Sequence, residues 1–403
     1  MRSLFRSLFP FGDLEPPERR LLTLMWLIGV FQGMAQAPLS AILPFTRVGL
    51  GLSEGQMSFV LAVTRVASLG AVVFSVWGDR GGRRKPFLAA MAVMLVGSGL
   101  TAVSPNATWF TVSQSLVRIA TTAVGTLGVV LVAERMRSSY RAFAIGLYAA
   151  AASLGAGFGQ LMLPVAATGD QAWRYAFFAP VLSIAFVPFV LRVQESPLMM
   201  ESGPRIRFRS LLVGRESKDF WLSGIAGLCA AAFPAVALAF TNERLVNDLG
   251  YSAGAATAIA LSGGTIGALG FWLGGRLADT VGRRITTVVS LAASVLGGLA
   301  LFQVETVPAL LAAIVVGGFG SFSYVPAASS HRAELFPTRI RATAGSGSAY
   351  LATVGSALGL GFGAGAIDVI GLFQTLRWLS ILMAVAAILT WMLPETRGKD
   401  LAP

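Results

Sequence analysis

The chain has 403 residues, of which 55% are hydrophobic and 12% are charged, and its formal net charge is +12. Because a soluble domain carries about 25% charged residues, this composition excludes a soluble globular protein and predicts an integral membrane protein. The basic balance alone would also suit a nucleic-acid-binding protein, an alternative that the positions of the charges decide below. The single cysteine, Cys229, lies in an apolar run and excludes an intrachain disulfide.

Twelve long apolar runs follow one another along the chain. A helix needs about 20 apolar residues to cross about 30 Å of hydrocarbon. The runs are too long for barrel strands and lack strict alternation, so we predict a membrane-spanning helix from each. Spans 1 to 12 cover approximately residues 21–45, 55–77, 87–104, 108–133, 142–167, 175–192, 220–243, 252–275, 286–304, 308–330, 342–366 and 374–393.

Charged residues at the borders of these spans recur 200 residues later. Such a repeat, at half the chain length, predicts two copies of one six-span unit. We expect an N-terminal bundle over residues 1–192, a cytoplasmic linker over 193–219 and a C-terminal bundle over 220–403. The repeated pairs are Asp79 and Asp279, Gly82 and Gly282, Arg83 and Arg283, Arg84 and Arg284, Glu134 and Glu334, Arg141 and Arg341, Ala142 and Ala342, and Glu195 and Glu395.

The Lys and Arg residues predict the orientation of the chain. With the N-terminus inside, the inner segments hold 25 of the 31 basic residues and the outer segments four, while Arg65 and Arg118 lie within spans. Both termini are then cytoplasmic, and the inside bias accounts for the net charge without nucleic acid. The basic linker either contacts anionic membrane lipid or is a plain solvated connection.

The loops between the spans carry several recognisable motifs. The loop after span 2 reads D-x-x-G-R-R from Asp79 to Arg84, and residues 334–343 read E-L-F-P-T-R-I-R-A-T. Together with Glu195-Ser196-Pro197 and the run Pro394–Gly398, they resemble motifs of the major facilitator superfamily of secondary transporters, and within it those of the sugar-porter, organic-ion and metabolite–proton symporter branches. The resemblance implies an all-α fold of twelve transmembrane helices in two bundles related by pseudo-two-fold symmetry, working by alternating access.

The chain also departs from particular branches. The paired Gln and Gly of sugar-porter span 7 are missing, and span 1 lacks the acid of the aromatic-acid symporters. The outer loop after span 1 is short, unlike the glycosylated loop of eukaryotic organic-ion relatives. These departures weaken a sugar assignment and favour a protein of the bacterial inner membrane.

The repeated loops are predicted to form the cytoplasmic gate. By the family's arrangement, Asp79 should meet the start of span 11 and Asp279 the start of span 5, where unpaired N–H groups stabilise a negative charge. Alternatively, Arg83 and Arg84 act only as orientation signals. The predicted gate comprises Asp79, Gly82, Arg83, Arg84, Glu134, Arg141, Asp279, Gly282, Arg283, Arg284, Glu334 and Arg341.

Two arginines in the middle of spans are candidates for binding cargo. Arg118 lies on one polar face of span 4, where the resemblance associates such an arginine with proton coupling. Arg65 lies near the middle of span 2, and a span 2 arginine at about this depth binds the oxyanion in anion-carrying members. No acid lies equally deep in the first half, so an anionic substrate would balance the charge. Alternatively, Arg65 pairs with a distant acid or reaches outward.

Further residues complete the predicted site. Glu243, at the outer end of span 7, either couples protons or pairs with Arg244 or Arg47. His331 is expected to serve a structural or gating role. The remaining predicted substrate-binding residues are Gln32, Gln36, Gln114, Tyr148, Phe233, Tyr324 and Tyr350.

The sequence thus predicts a monomeric secondary transporter of a small organic anion, a carboxylate, coupled to protons. The alternatives are proton-driven drug efflux, transport of a neutral solute such as a sugar, or a lipid-handling role. No metal cluster, nucleotide-binding loop or nucleophile triad occurs in the sequence, so we expect neither an enzyme nor an ATP-driven pump, and no cofactor.

Overall fold

A computed structural model describes residues 14–136, 141–191, 217–336 and 338–397. Eleven helices in these ranges are long and apolar enough to cross a membrane. The segments are Pro16–Gln36, Pro38–Ala41 and Leu43–Gly49 in span 1; Glu54–Ala67, Ser68–Ala71 and Val72–Gly81 in span 2; Arg84–Ala102 in span 3; Ala107–Arg135 in span 4; Arg141–Ala166 in span 5; Trp173–Phe178, Ala179–Phe186 and Val187–Val190 in span 6; Ser217–Ala239, Thr241–Glu243 and Arg244–Asp248 in span 7; Ala253–Gly267 and Leu269–Thr280 in span 8; Arg283–Leu301 in span 9; Val307–Leu335 in span 10; Thr338–Ile370 in span 11; and Leu372–Met392 in span 12.

Several spans are less regular than their apolar runs suggest. Span 1 breaks at Ala37, because Pro38 lacks an N–H for a continuous helix. Span 2 tightens into a 3-10 turn over Ser68–Ala71. Span 6 is divided into three short helical segments, the middle one a 3-10 helix over Ala179–Phe186. Span 6 is the predicted span that is not among the eleven helices long and apolar enough to cross a membrane.

The chain forms two compact units. Among the described residues, unit 1 holds those up to Leu50 and from Ala67 to Leu191, and unit 2 holds Gly51–Val66 and everything from Ser217 onwards. In unit 1, span 1 packs on span 5 and span 3 on span 4. In unit 2, span 7 packs on span 11 and span 9 on span 10, which repeats the same pairing six spans later. The domain boundaries 1–192, 193–219 and 220–403 stay a prediction, and most of the linker lies outside the described residues.

One close helix crossing occurs in both units. A Cβ added to Gly155 would lie 1.9 Å from the carbonyl oxygen of Val30, where spans 1 and 5 cross. A Cβ added to Gly355 would lie 1.9 Å from the carbonyl oxygen of Leu228, where spans 7 and 11 cross. Small residues allow membrane helices to approach this closely, so both crossings depend on a missing side chain.

The turns that lead into spans 3 and 9 also correspond. Gly82 has φ 99° and Gly282 has φ 133°, in the region that side chains rarely adopt. The positive φ angle therefore explains why both copies of the loop have a glycine at this position.

Large apolar side chains cover the outer surfaces of the helices. Val369, Leu296 and Trp272 are exposed by 81%, 67% and 64%. A soluble protein would not expose so many large apolar side chains, whereas lipid is their natural surrounding. This surface agrees with the membrane assignment made from composition.

Candidate functional site

The polar face of span 4 is turned into the interior of unit 1. Gln114, Arg118 and Thr121 are exposed by only 1%, 5% and 0%. The amide of Gln114 donates to the hydroxyl of Thr101 in span 3 at 3.1 Å. A polar stripe that could have faced lipid is therefore enclosed by neighbouring helices, which reduces the cost of holding a charge at this depth.

Gln32 connects span 1 to spans 4 and 5 beside this stripe. Its amide nitrogen donates to the carbonyl of Thr121 at 3.0 Å, and its amide oxygen accepts from the hydroxyl of Tyr148 at 2.7 Å. The Tyr148 hydroxyl also lies 3.2 Å from the carbonyl of Val124. Gly125 leaves room for the amide, since a Cβ there would lie 2.6 Å from the Gln32 nitrogen. Three spans are thus joined one turn from Arg118.

The other predicted binding residues are distributed between the units. Arg65 is half-buried in unit 2, whereas Gln36 is exposed at the end of the first helix of span 1. Phe233 is fully buried in unit 2, and a Cβ added to Gly298 would lie 2.7 Å from its ring. Tyr324 is half-buried and Tyr350 is 44% exposed. Their binding roles stay predictions.

Glu243 is completely buried, which its position at the end of span 7 did not indicate. One carboxylate oxygen accepts a hydrogen bond at 2.6 Å from Asn247, which lies in the π-helix Arg244–Asp248. Arg244 forms an ion pair with Asp248 at 3.5 Å. The buried carboxylate is therefore hydrogen-bonded to its own helix end.

The repeated loop in unit 2 forms a charge cluster around Arg283. Its guanidinium forms an ion pair with Glu334 at 2.9 Å, and the Thr396 hydroxyl donates to the same carboxylate at 2.6 Å. Burial by itself raises the pKa of the Glu334 carboxyl, but the hydrogen bonds from Arg283 and Thr396 outweigh it and hold the pKa below its usual value. Glu334 therefore stays ionised beside Arg283.

Glu395 was not among the predicted site residues, yet it holds the start of span 9. Its two carboxylate oxygens accept from the backbone N–H groups of Arg283 at 2.9 Å and of Arg284 at 3.1 Å. Burial raises the pKa of the Glu395 carboxyl, but backbone donors from Arg283, Arg397, Arg284 and Thr396 lower it below its usual value overall. A helix N-terminus favours such a negative charge.

The two copies of the loop share one further contact. Arg284 donates to the carbonyl of Trp391 at 3.1 Å, and Arg84 donates to the carbonyl of Leu191, 200 residues earlier. The Arg284 guanidinium also lies 4.3 Å from the ring centroid of Trp391. This arginine therefore ties the start of the third span of each half to the end of the sixth.

The structure describes only some of the side chains predicted to form the gate. Nε2 of His331 lies 2.8 Å from the carbonyl oxygen of Pro394, next to the charge cluster of unit 2. The roles of Arg83, Arg84, Arg283, Arg284 and Glu334 as gate residues stay a prediction. The side chains of five further predicted members lie outside the described residues: Asp79, Glu134, Arg141, Asp279 and Arg341.

These features define a class of protein. The chain repeats one set of membrane-spanning helices, and a guanidinium lies enclosed within the first set. Intramembrane charges of this kind mark transport pathways, and repeated helix sets are typical of secondary transporters. The protein is a multi-pass membrane transporter.

The family model of the Major Facilitator Superfamily matches residues 25–302 and, in a second match, residues 225–403. The chain belongs to this superfamily, as its loop motifs indicate, and the prediction that it is a transporter rather than an enzyme is confirmed.

Relatives with descriptive names agree with this class. A Haemophilus influenzae protein, provisionally named a metabolite transport protein, is 25% identical over 391 residues, covering 85% of each chain. The sialic acid transporter NanX of Escherichia coli is 23% identical over 181 residues, covering 45% of this chain and 44% of that protein. Among solved structures, a bacterial homologue of the human lysosomal transporter Spinster, in an inward-facing and occupied conformation, has a TM-score of 0.77 at 16% identity and covers 94% of this chain and 97% of that one. The all-α twelve-span fold is thereby confirmed.

Proposed function

We propose that the protein carries a small organic anion, a carboxylate, by alternating access and with protons. The observation that supports it most is the enclosed Arg118 on the buried polar face of span 4. A charge at mid-bilayer costs about 3 kcal/mol or more, a cost that a structural helix has no reason to carry. The guanidinium of Arg binds a carboxylate through two parallel hydrogen bonds.

The sign of the charges supports an anion over a cation or a neutral solute. The spans of the first half carry Arg65 and Arg118, and the sequence places no Asp or Glu at comparable depth there. The similarity to a protein named for sialic acid transport points the same way. The proposed substrate-binding residues are Arg65 in unit 2 and Arg118, Gln32 and Tyr148 in unit 1.

The proposed proton-coupling residues are Glu243 and Arg118. The carboxylate of Glu243 is completely buried and accepts a hydrogen bond from Asn247. The repeated loops form the proposed cytoplasmic gate, and we propose a monomer in the bacterial inner membrane with both termini cytoplasmic.

Uptake into proteoliposomes tests the proposal. The panel holds carboxylates, sugars and cationic drugs, each measured with and without a pH gradient. We expect carboxylate uptake that depends on the gradient, with Arg65→Ala and Arg118→Ala each lowering it about tenfold or more, the factor for a lost charge-assisted hydrogen bond. Arg377→Ala is the control, since this arginine is exposed and its guanidinium donates to Gln374 of its own helix.

Other outcomes would overturn the proposal. Uptake of sugars alone would indicate a neutral-solute carrier, and gradient-driven export of cationic drugs would indicate an efflux protein. Movement of lipid without solute uptake would indicate the lipid-handling role. Carboxylate uptake that survives Arg65→Ala unchanged would remove this arginine from the site, and unchanged gradient dependence in Glu243→Gln would remove Glu243 from coupling.

A further inference from the structure

The outer end of span 2 is bound to the end of span 11 by a carboxylate. Asp368 lies in the last turn of the helix Thr338–Ile370. One of its oxygens accepts from the backbone N–H of Gly55 at 3.0 Å, and the other accepts from the hydroxyl of Ser53. These residues begin the helix Glu54–Ala67, so Asp368 holds the start of span 2.

The negative charge of Asp368 is stabilised at this position. A carboxylate in the last turn of its own helix faces the negative end of that helix dipole, whereas the start of another helix presents unpaired N–H groups and a positive end. The positive end of span 2 thus offsets the unfavourable dipole of span 11 at Asp368, but only while the start of span 2 stays in contact with it. The contact is therefore stabilising and also reversible.

Two further contacts join span 2 to span 11, and we call this line of contact the seam. The hydroxyl of Ser58 donates to the carbonyl of Leu360 at 2.6 Å, and a Cβ added to Gly363 would lie 2.7 Å from that hydroxyl oxygen. A Cβ added to Gly55 would lie 2.6 Å from the Asp368 carboxylate and 2.8 Å from the carbonyl oxygen of Ala364. At these positions the two helices thus meet through glycines and small polar groups.

Span 2 is divided between the two units at this point. Its residues Gly51–Val66 pack in unit 2, while the chain from Ala67 onwards packs in unit 1. The 3-10 turn Ser68–Ala71 lies just beyond the division. One end of a single span is therefore held by helices of the second half of the sequence, although the span belongs to the first half.

The repeat of the sequence does not reproduce this contact. Ser252 and Gly254, 199 residues after Ser53 and Gly55, stand at the start of span 8, and Ser252 caps its own helix. The positions 199 and 200 residues before Asp368 are Gly169 and Thr168, neither of them an acid, and the Thr168 hydroxyl donates to the carbonyl of Val165. A Cβ added to Gly254 would meet nothing within 4 Å among the described residues. The acid thus occurs in one copy only.

We propose that Asp368 is the outer latch of the carrier. Its carboxylate holds the start of span 2 on span 11 while the outer side is closed, and the bond to Gly55 and Ser53 must break before that side opens. The proposal rests on the alternating-access cycle of the proposed function, and on the orientation that the basic residues predict.

A cysteine reporter tests the latch without any substrate. In a Cys229→Ala background, Ser58→Cys places one thiol in the seam, and a membrane-impermeant maleimide is added to intact cells. We expect Asp368→Ala to raise the labelling rate about threefold to tenfold, the shift that follows when one charge-assisted contact no longer favours the closed state. Gly55→Ala should do the same, because its methyl group would meet the carbonyl of Ala364.

Matched controls separate a latch from general loosening. Gly365→Ala lies on the same helix, where an added Cβ meets nothing within 4 Å among the described residues, and should label like the parent. A second reporter, Thr64→Cys, lies deeper in span 2 and is 1% exposed, so its labelling should rise in parallel. Each variant is checked by its elution as a single species and by full labelling after denaturation.

The outcomes are distinct. Unchanged labelling of both reporters in folded Asp368→Ala and Gly55→Ala would overturn the latch, whatever the protein carries. A raised rate together with a failure to transport any carboxylate would leave the latch standing and overturn only the proposed cargo. Equal increases in Gly365→Ala would also overturn it, because the effect would then not depend on the contact.

Discussion

Glu395 closes a helix start that lies 112 residues away along the chain. Its carboxylate takes the place of a local N-cap, because the residue before Arg283 is Gly282, which has no side chain. The same helix start carries the Arg283–Glu334 ion pair. Two carboxylates with lowered pKa values thus stabilise one turn of span 9.

This arrangement predicts a dependence of stability on pH. A carboxyl group whose pKa is lower in the folded than in the unfolded protein contributes stability that is present above the unfolded value, about 4.3 for Glu, and lost as the pH falls through the folded value. Because Glu334 and Glu395 both have lowered pKa values, we expect the thermal midpoint of the detergent-solubilised protein to fall as the pH drops below about 4.

Substitution identifies the groups responsible. Glu395→Gln should lower stability by about 1 kcal/mol at neutral pH, as for a weakened helix cap, and should reduce the loss on acidification. The exposed Glu305 supplies the control, and Glu305→Gln should follow the parent curve. If Glu395→Gln kept the full acid sensitivity of the parent, this carboxylate would not be its source.

The sequence could not reveal these residue contacts in full. Arg283 and Glu334 are marked by the repeat, so their importance was visible although their distance was not. Glu395 belongs to a recognised motif, but a side chain that caps a helix from the far end of the chain leaves no local pattern. Asp368 has no counterpart in the repeat, so the comparison of the two halves passed over it.

At the scale of single helices, the close crossings of spans 1 and 5 and of spans 7 and 11 set the packing of each unit. Both crossings put a glycine against a carbonyl oxygen of the facing helix. Membrane helices associate through such packing rather than through a hydrophobic drive. The crossings therefore give each unit much of its rigidity.

We predict that Gly155→Ala and Gly355→Ala each lower the thermal midpoint. The added methyl group would lie 1.9 Å from the carbonyl of Val30 or Leu228, so the helices must separate, at a cost of about 1 to 3 kcal/mol as in overpacked cores. The measurement is thermal unfolding in detergent by circular dichroism.

Neighbouring glycines on the same helices provide the comparison. Added Cβ atoms at Gly157 and Gly361 meet nothing within 4 Å among the described residues, so Gly157→Ala and Gly361→Ala should be neutral or slightly stabilising, since alanine favours helix. Equal losses at all four positions would show that the crossings are not the reason.

The regularity of elements was predicted less well than their existence. Hydropathy locates every span because each must cross about 30 Å, and helices occur at all the predicted positions. The break at Ala37, the 3-10 turn Ser68–Ala71 and the division of span 6 were missed. An apolar run reports burial in lipid and does not report how the backbone hydrogen bonds are arranged within it.

For the molecule as a whole, orientation is the prediction that most needs a test. The basic residues place the loop after span 2 inside and the loop after span 5 outside. In a Cys229→Ala background, an impermeant maleimide on intact cells should label Asp170→Cys and leave Lys85→Cys unlabelled, although both positions are exposed. Permeabilised cells should label both, and the opposite pattern in intact cells would invert the topology.

The repeat of 200 residues supplies a way to find what each half does alone. Where both halves have the same contact, as in the bonds from Arg84 to Leu191 and from Arg284 to Trp391, the contact has the same structural role in each half. Where the two copies differ, one half has a function that the other lacks. Gly318 occupies the position that corresponds to Arg118, and Thr168 occupies the position that corresponds to Asp368. Exchanging such unmatched residues, one at a time, between the halves would separate the inherited machinery from later specialisation.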